Sequence, residues 1–381
     1  MNVFFSQSTT YQIVLFAILS ISLLIQFFFY LNVYLRVAIH KPKVSKDIDQ
    51  VLPPVSIIIC AKNEEANLAV FLPLVLEQEY PSFEVIVVND CSLDDTDMLL
   101  RRLSTQYSHL KVTTINPDSK FTHGKKLALT IGIKAAKNEW LLLTDADCRP
   151  VGRQWLATMA SNFKPTIQVV LGYGGYLPAK GLLNCIIRFD AFFIGMQYLG
   201  LALMGKPYMG VGRNLAYRKE LFFKNKGFAS HSHIESGDDD LFVSEVAMKK
   251  ATAVELRPEG HTLSVASTSF AKWVKQKRRH LTTSPLYKNG VKFWLTLEPL
   301  SRLLFWISII LLFVEQSHLD IVLILLAFRL VVTNTILILV MKRLKEKKLF
   351  LLSLMYDLLS PLFIGTLMLA NYLTQKRTKW N

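Results

Sequence analysis

The chain has 381 residues, 51% of them hydrophobic, and a formal net charge of +15 at pH 7. This apolar content exceeds that of a typical soluble protein and indicates that part of the chain lies in a membrane. Much of the positive charge flanks long apolar runs, where anionic lipid accounts for it, so the charge disfavours nucleic-acid binding. The four cysteines stand singly without CxxC spacing and indicate neither a zinc site nor a disulfide framework.

The first apolar run, Gln12–Leu35, carries no charged residue and is long enough to cross the ~30 Å hydrocarbon core as a helix. Met1–Tyr11 contains no Lys or Arg, which disfavours a secretory signal peptide. We therefore predict an N-terminal transmembrane anchor within residues 1–45.

Three more apolar runs lie near the other end of the chain: Leu303–Val314, Ile321–Met341 and Leu349–Leu373. They predict about three further transmembrane helices within residues 291–381. The first run is short, so its helix should begin near Leu295, with Glu298 and Arg302 at the membrane interface or paired with each other.

Basic residues follow the first apolar run and separate the last two, in the segments Arg36–Lys46 and Lys342–Lys348. The positive-inside rule places both clusters in the cytoplasm. The rule predicts a multi-pass protein of the cell membrane, with residues 46–290 as a cytoplasmic domain. The basic tail Gln375–Lys379 would then lie outside, against the rule, unless the last run bends back near Asp357 and Pro361.

The middle of the chain alternates strand-like and helix-like segments. In chain order they are strand Val55–Cys60, a helical pattern from Asn63 to Glu79, strand Glu84–Asn89, helix Asp94–Gln106, strand Val112–Ile115, helix Gly124–Ala136 and strand Trp140–Thr144. This alternation predicts an α/β domain whose mostly parallel sheet is covered on both faces.

Polar side chains follow several of these strands, and ligands bind at the carboxyl ends of such sheets. Asp145 and Asp147 follow one strand at i and i+2, where they repel each other unless a cation lies between them. Asp90 follows another strand, and the alternative for this residue alone is that it only caps the next helix. Carboxylate oxygens suit Mg²⁺ or Mn²⁺, which would bridge to a diphosphate, while Lys125 would meet the phosphate or pair with Asp90.

Six segments together resemble the membrane-bound family 2 glycosyltransferases, which have a GT-A nucleotide-sugar-binding fold. They are Val55–Glu65, Val88–Thr96, Gly124–Leu129, Thr144–Asp147, Gly237–Leu241 and Gln276–His280. The resemblance implies that Ala61, Glu64 and Asp90 hold the nucleotide, which is expected to be of the uridine type. It also implies that Asp145 and Asp147 hold the metal-bound diphosphate, with Asp147 as a direct ligand.

The same resemblance aligns Asp238 with the general base of the family. The family often has an acid before this position, whereas this chain has Gly237, so Asp239 is the second candidate. Inverting transfer needs one carboxylate to take the proton of the acceptor hydroxyl. The acidic segment also suits the start of a helix, and the two interpretations are compatible.

The segment Gln276–His280 resembles the Q-x-x-R-W sequence that lies over the donor diphosphate in the family, which implicates Gln276 and Arg279. His280 replaces the tryptophan that often accompanies polymerising synthases. The alternative is a basic helix on anionic lipid. We also predict an interfacial amphipathic helix over Leu182–Leu203, with burial in the core as an equal alternative.

The sequence thus predicts an inverting glycosyltransferase that uses a nucleoside diphosphate sugar, with UDP expected, and a lipid or membrane-associated glycan as acceptor. A processive polysaccharide synthase is the alternative within enzymes. A non-catalytic membrane scaffold that retains a nucleotide pocket is the alternative from another class.

Overall fold

A computed structural model describes residues 9–41, 52–116 and 124–374. The chain divides into two compact units: residues 40–286 form one, and the helices before and after this segment form the other. The predicted boundary at 45–46 and the basic tail Gln375–Lys379 lie outside the described residues.

The regular elements are numbered in chain order. The strands are β1 (Val55–Ala61), β2 (Phe83–Asp90), β3 (Leu110–Ile115), β4 (Trp140–Leu143), β5 (Cys148–Pro150), β6 (Val169–Gly172), β7 (Gly174–Tyr176), β8 (Leu215–Arg218), β9 (Thr252–Glu255) and β10 (Thr262–Ser264). The α-helices are α1 (Thr10–Ile39, with a π-helical segment at Phe29–Tyr34), α2 (Glu65–Leu76), α3 (Thr96–Gln106), α4 (Lys125–Ala135), α5 (Trp155–Ala160), α6 (Leu182–Leu203), α7 (Lys219–Lys224), α8 (Asp240–Val246), α9 (Phe270–Leu281), α10 (Asn289–Val314), α11 (Leu319–Arg343) and α12 (Leu352–Thr374).

A seven-stranded sheet forms the centre of the unit of residues 40–286, with strand order β3-β2-β1-β4-β8-β6-β9. Strands β3, β2, β1 and β4 are parallel to one another, and β6 is parallel to β9. Strand β8 is antiparallel to both of its neighbours. A second sheet has the order β5-β10-β7. The mostly parallel sheet of the prediction is confirmed.

Both faces of the parallel strands are buried, which explains their continuous apolar and β-branched sequences. On one face, Ile57 and Ile59 of β1 join a hydrophobic cluster with side chains of α2, α3 and α5. On the other face, Gly132 lets α4 approach closely, because a Cβ there would lie 2.7 Å from Ile58 Cγ2. These contacts fix the edge at which β1, β2 and β4 end.

Helix α6 has the predicted limits, but most of its residues are buried within the unit, so the interfacial position is not what the structure shows. The Tyr198 hydroxyl donates to the Gly172 carbonyl at 2.6 Å, and the Tyr173 ring packs against Gly195. Asp190 accepts two hydrogen bonds from the Lys277 ammonium, at 3.0 and 2.9 Å. Core packing, the alternative weighed from the sequence, is the better description.

The second unit is a bundle of α1, α10, α11 and α12. These four helices, together with α6, are the described helices that are long and apolar enough to cross a membrane. In the bundle, Leu19 of α1 lies in a hydrophobic cluster with Phe305 and Leu312 of α10 and Val322 of α11. One N-terminal and three C-terminal apolar helices agree with the prediction, although α10 begins at Asn289, six residues before Leu295.

Charged side chains are buried inside this bundle and meet in pairs. Arg302 Nε lies 3.0 Å from Glu298 Oε1, so the predicted alternative of a pair at i and i+4 is the one observed. Arg329 Nη2 lies 2.7 Å from Asp357 Oδ2, and Arg329 Nε donates to Gln26 Oε1 at 2.5 Å. Pairs linking α1, α11 and α12 in this way fix how these helices are rotated about their axes.

Candidate active site

The site lies at the carboxyl ends of β1, β2 and β4. Ala61 is the last residue of β1 and Asp90 the last of β2, and both side chains are buried. Asp145 follows β4, whose Leu143 pairs with Ile58 of β1. The parallel register therefore brings together three predicted site residues that are far apart in the sequence.

The loops after β1 and β2 are hydrogen-bonded to each other. The Asn63 amide donates to Ser92 Oγ at 2.9 Å, and the Leu93 amide donates to Asn63 Oδ1 at 2.8 Å. The Glu64 amide donates to Thr96 Oγ1 at 3.2 Å. Partial burial raises the pKa of Glu64, and the charge of Asp145 adds to this effect. Glu64 thus belongs to the same cleft as the β4 carboxylates.

Asp145 and Asp147 form the predicted carboxylate pair. Their carboxylate oxygens and the Cys148 sulfur all lie within 4.8 Å of one another. Burial, followed by the charge of Asp145, raises the pKa of Asp147 to about 6. A divalent cation would relieve this repulsion, so the pair fits a metal ion.

The Cys148 thiol lies beside this pair. Burial raises the pKa of the thiol, which contacts Ser264 Oγ at 2.8 Å and Asp147 Oδ1 at 3.3 Å. The two carboxylates offer oxygen donors, which Mg²⁺ and Mn²⁺ prefer.

Lys125 opens α4 and bridges two carboxylates. Its ammonium lies 2.8 Å from Asp145 Oδ1 and 3.2 Å from Asp238 Oδ2. Burial opposes the charge, but the carboxylates raise the pKa of Lys125 well above its usual value. Lys125 thus contacts Asp145 and Asp238, and not Asp90, which was the carboxylate partner suggested by the sequence.

The three consecutive acids after Gly237 have different partners. Asp238 contacts Lys125, and Asp240 Oδ2 accepts from Thr283 Oγ1 at 2.6 Å. Asp239 caps α8: its Oδ1 accepts from the Asp240 amide and its Oδ2 from the Gly212 amide, both at 2.7 Å. The helix start and the cleft position predicted from the sequence therefore coexist.

Charge separates Asp238 from Asp239. Burial works against ionisation of Asp238, but Lys125 and more weakly Arg279 lower its pKa. Burial and the charge of Asp238 raise the pKa of Asp239 to about 7. Of these two acids, Asp238 is thus the one whose ionised form is favoured, and Lys125 joins it to Asp145.

Helix α9 carries the predicted basic segment. Gln276 and Arg279 are half-buried and three residues apart, so they share one face of the helix. The ion pair of Lys277 with Asp190 attaches α9 to α6. Thr283, which follows α9, donates to Asp240, so the end of α9 lies beside the acidic segment.

Sequence reasoning missed Arg213, whose guanidinium lies 4.4 Å from the centre of the Tyr176 ring. No role for this arginine was predicted from the sequence. The signal that could have indicated it is a charged residue among small ones.

Residues 56–222 match the sequence profile of glycosyl transferase family 2. These residues, fewer than half of the chain, form a segment similar to the family 2 glycosyltransferases. The match covers the residues from β1 to α7 and ends before Asp238 and Gln276.

Proteins similar in sequence to this chain have related descriptions. It is 36% identical over 106 residues to a beta-monoglucosyldiacylglycerol synthase of Nostoc sp., covering 27% of this chain and 22% of that protein. It is 26% identical over 233 residues to the probable glycosyltransferase YdaM of Bacillus subtilis, covering 60% of this chain and 54% of that protein. The chain therefore matches about a fifth to a half of the length of these relatives.

A solved structure with the same fold is a mannosyltransferase of Pyrobaculum calidifontis in complex with GDP-Man and Mn²⁺. The match has a TM-score of 0.60 at 18% identity and covers 88% of this chain and 99% of that one. The GT-A fold predicted from the sequence is confirmed.

Proposed function

We propose that this chain is an inverting glycosyltransferase that moves a sugar from a nucleoside diphosphate donor to a lipid or membrane-associated glycan. The observation that carries the proposal is the contact of one ammonium, that of Lys125, with Asp145 of the metal pair and with Asp238. A cation site and a candidate base on one cleft are what glycosyl transfer with inversion needs.

Asp238 acts as the base in this proposal. The acceptor hydroxyl oxygen attacks the anomeric carbon, its proton passes to a carboxylate oxygen of Asp238, and the nucleoside diphosphate leaves with the bonding electron pair. The lowered pKa of Asp238 keeps its carboxylate ionised and ready to accept that proton. Asp239, which caps α8, is the second candidate.

Asp145 and Asp147 would hold Mg²⁺ or Mn²⁺, and the Mn²⁺ in the mannosyltransferase from Pyrobaculum supports this choice. When bound, the ion offsets negative charge on the departing diphosphate. Ala61, Glu64 and Asp90 would contact the nucleoside, with UDP as the proposed donor nucleotide. Gln276 and Arg279 would contact the diphosphate from α9.

The proposed acceptor is a lipid or a membrane-associated glycan, because the chain carries a bundle of apolar helices and a relative is named as a glycolipid synthase. We propose the cell membrane as the location and the cytoplasm as the side of the catalytic unit. A cysteine at exposed Gln316 should react with an impermeant reagent in intact cells, and one at exposed Lys345 should not. Labelling of position 345 alone would invert this topology.

The function is tested by incubating the purified full chain with UDP- and GDP-sugars, Mn²⁺ and lipid extract, followed by mass spectrometry. We expect lipid carrying one or a few sugars, and transfer should stop with excess chelator. Because His280 replaces the tryptophan associated with polymerising synthases, a long homopolymer would instead support a processive synthase. Neither transfer nor donor hydrolysis with any sugar would support a scaffold.

A further inference from the structure

Arg213 lies in a turn that is fixed on both sides. The preceding amide of Gly212 donates to Asp239. The following Asn214 is fully buried: its Oδ1 accepts from Trp155 Nε1 at 3.1 Å, and its Nδ2 donates to the carbonyls of Tyr173 and Gly260 at 2.9 and 2.7 Å. The backbone that carries the Arg213 side chain is therefore rigid.

The guanidinium of Arg213 rests on an aromatic ring. Besides the Tyr176 contact, its Nη1 makes two long hydrogen bonds, to the Gly175 carbonyl at 3.3 Å and to Ser264 Oγ at 3.4 Å. Gly174 leaves room for the side chain, because a Cβ there would lie 3.2 Å from Arg213 Cβ and 3.5 Å from Arg213 Nε. These contacts hold the guanidinium in place and leave most of its N–H groups for another partner.

The described residues supply no carboxylate within ion-pair distance of Arg213. Arg213 is itself half-buried. The buried basic groups Lys277 and Arg302 do have such partners, Asp190 and Glu298. A cation away from water is costly unless an anion compensates it. The missing anion is the first of two observations that point to a ligand.

The second observation is the direction of the guanidinium. A chain of polar contacts runs from Arg213 through Ser264 Oγ and the Cys148 thiol to Asp147. Arg213 therefore faces the same space as the proposed metal site.

We propose that Arg213 binds an oxyanion of the donor, either its terminal phosphate or a carboxylate of its sugar. The inference rests on the proposed function and assigns a specificity residue within that site. A planar, pre-oriented guanidinium suits either oxyanion, because phosphate and carboxylate both accept two parallel N–H donors. Stacking on Tyr176 keeps that plane fixed.

Binding of nucleotides to the full chain in detergent with Mn²⁺ tests this assignment. UDP and GDP are each compared with UMP and GMP, and UDP-glucuronate with UDP-glucose. A charged hydrogen bond contributes about 10- to 100-fold in affinity, so Arg213→Gln should lose that factor for its ligand. Arg213→Lys keeps the charge but lacks the two parallel N–H donors of the guanidinium, so it should retain part of the affinity.

Arg218 is the matched control. It lies at the other end of β8, stacks on Trp140 at 4.8 Å from the ring centre and donates to the carbonyls of Ile167 and Lys164. Arg218→Gln should therefore cost similar packing and leave every nucleotide affinity unchanged. Thermal melting of the three variants separates lost folding from lost binding.

The outcomes are distinct. A loss of preference for diphosphates over monophosphates in Arg213→Gln assigns the terminal phosphate, and a loss confined to UDP-glucuronate assigns a sugar carboxylate. Unchanged affinities in a variant that melts like the wild type overturn the inference and leave the proposed function intact. A wild-type chain that binds no nucleotide removes the proposed function itself, and this inference with it.

Discussion

The cleft and the helix bundle both bury charged side chains, but they balance charge differently. In the bundle, Glu298 and Asp357 each contact an arginine, so two carboxylates meet two guanidiniums. In the cleft, the single ammonium of Lys125 serves two carboxylates, and none of the described basic side chains forms an ion pair with Asp147. A balanced set orients helices, whereas a set with excess negative charge is arranged for a cation.

The largest expected effect is on turnover and concerns the cleft. Asp238→Asn keeps the size of the side chain but removes the proton acceptor, so kcat should fall by about 10²- to 10⁴-fold while donor binding and melting persist. Asp239→Asn and Asp240→Asn should cost much less, because their carboxylates bond Gly212 and Thr283. If Asp238→Asn keeps a near-normal kcat while Asp239→Asn has no measurable activity, the base is Asp239.

The next effect is on the stability of the bundle. Arg329→Met leaves Asp357 buried without its main counter-charge and should lower the free energy of unfolding by about 3–5 kcal/mol. Replacing both members, as Arg329→Met with Asp357→Leu, should recover much of this loss. Unfolding of the detergent-solubilised chain measures both. A double variant no more stable than the single one would show that the pair is not a self-contained unit.

A cleft variant should behave in the opposite way to this bundle variant. Asp147→Asn removes a charge that Asp145 repels, so the metal-free protein should melt at a higher temperature than the wild type. Mn²⁺ affinity should fall by at least the roughly 10- to 100-fold that loss of an outer-shell partner costs. Calorimetric titration and melting with chelator measure the two effects. A destabilised metal-free variant would contradict the contrast between cleft and bundle.

The smallest effect is a pH dependence. The pKa of Asp239 is about 7 in the folded chain and about 3.9 for an unperturbed Asp, so between these values the folded state holds a proton that the unfolded state has lost. This contribution to stability is complete below about pH 4 and is lost as pH rises to 7. With chelator present, the melting temperature of the wild type relative to Asp239→Asn should fall across that window. A difference in melting temperature that stays constant with pH would show that the pKa of Asp239 is ordinary.

The alternation of strands and helices was predictable from the sequence, because buried parallel strands such as β1 and β2 are continuous apolar runs with polar residues directly after them. The carboxyl ends of parallel strands lie at one edge of a sheet, so the common edge of Asp90 and Asp145 follows from a general rule. The carboxylate pair proposed to hold the metal could therefore be predicted without knowledge of tertiary contacts.

Partners distant in sequence were beyond prediction. The apolar pattern of α6 suits a membrane surface as well as a core, and the difference depends on Lys277, which neutralises Asp190 from α9. The early start of α10 has a similar cause: Glu298 and Arg302 satisfy each other and need not lie at an interface. Arg213 was missed because its proposed role depends on a tertiary feature. The described residues around it supply no carboxylate within ion-pair distance.

The reversed direction of β8 has a consequence for how such a site can diversify. Leu143 at the end of β4 pairs with Leu215 at the start of β8, so the turn before β8 joins the edge where the parallel strands finish. A residue there can be exchanged without touching the hydrogen-bonded ladder, since Arg213 precedes the first paired position. The paired strands can therefore stay the same while position 213 changes. In the proposed role of Arg213, such a change would alter donor preference without altering the sheet.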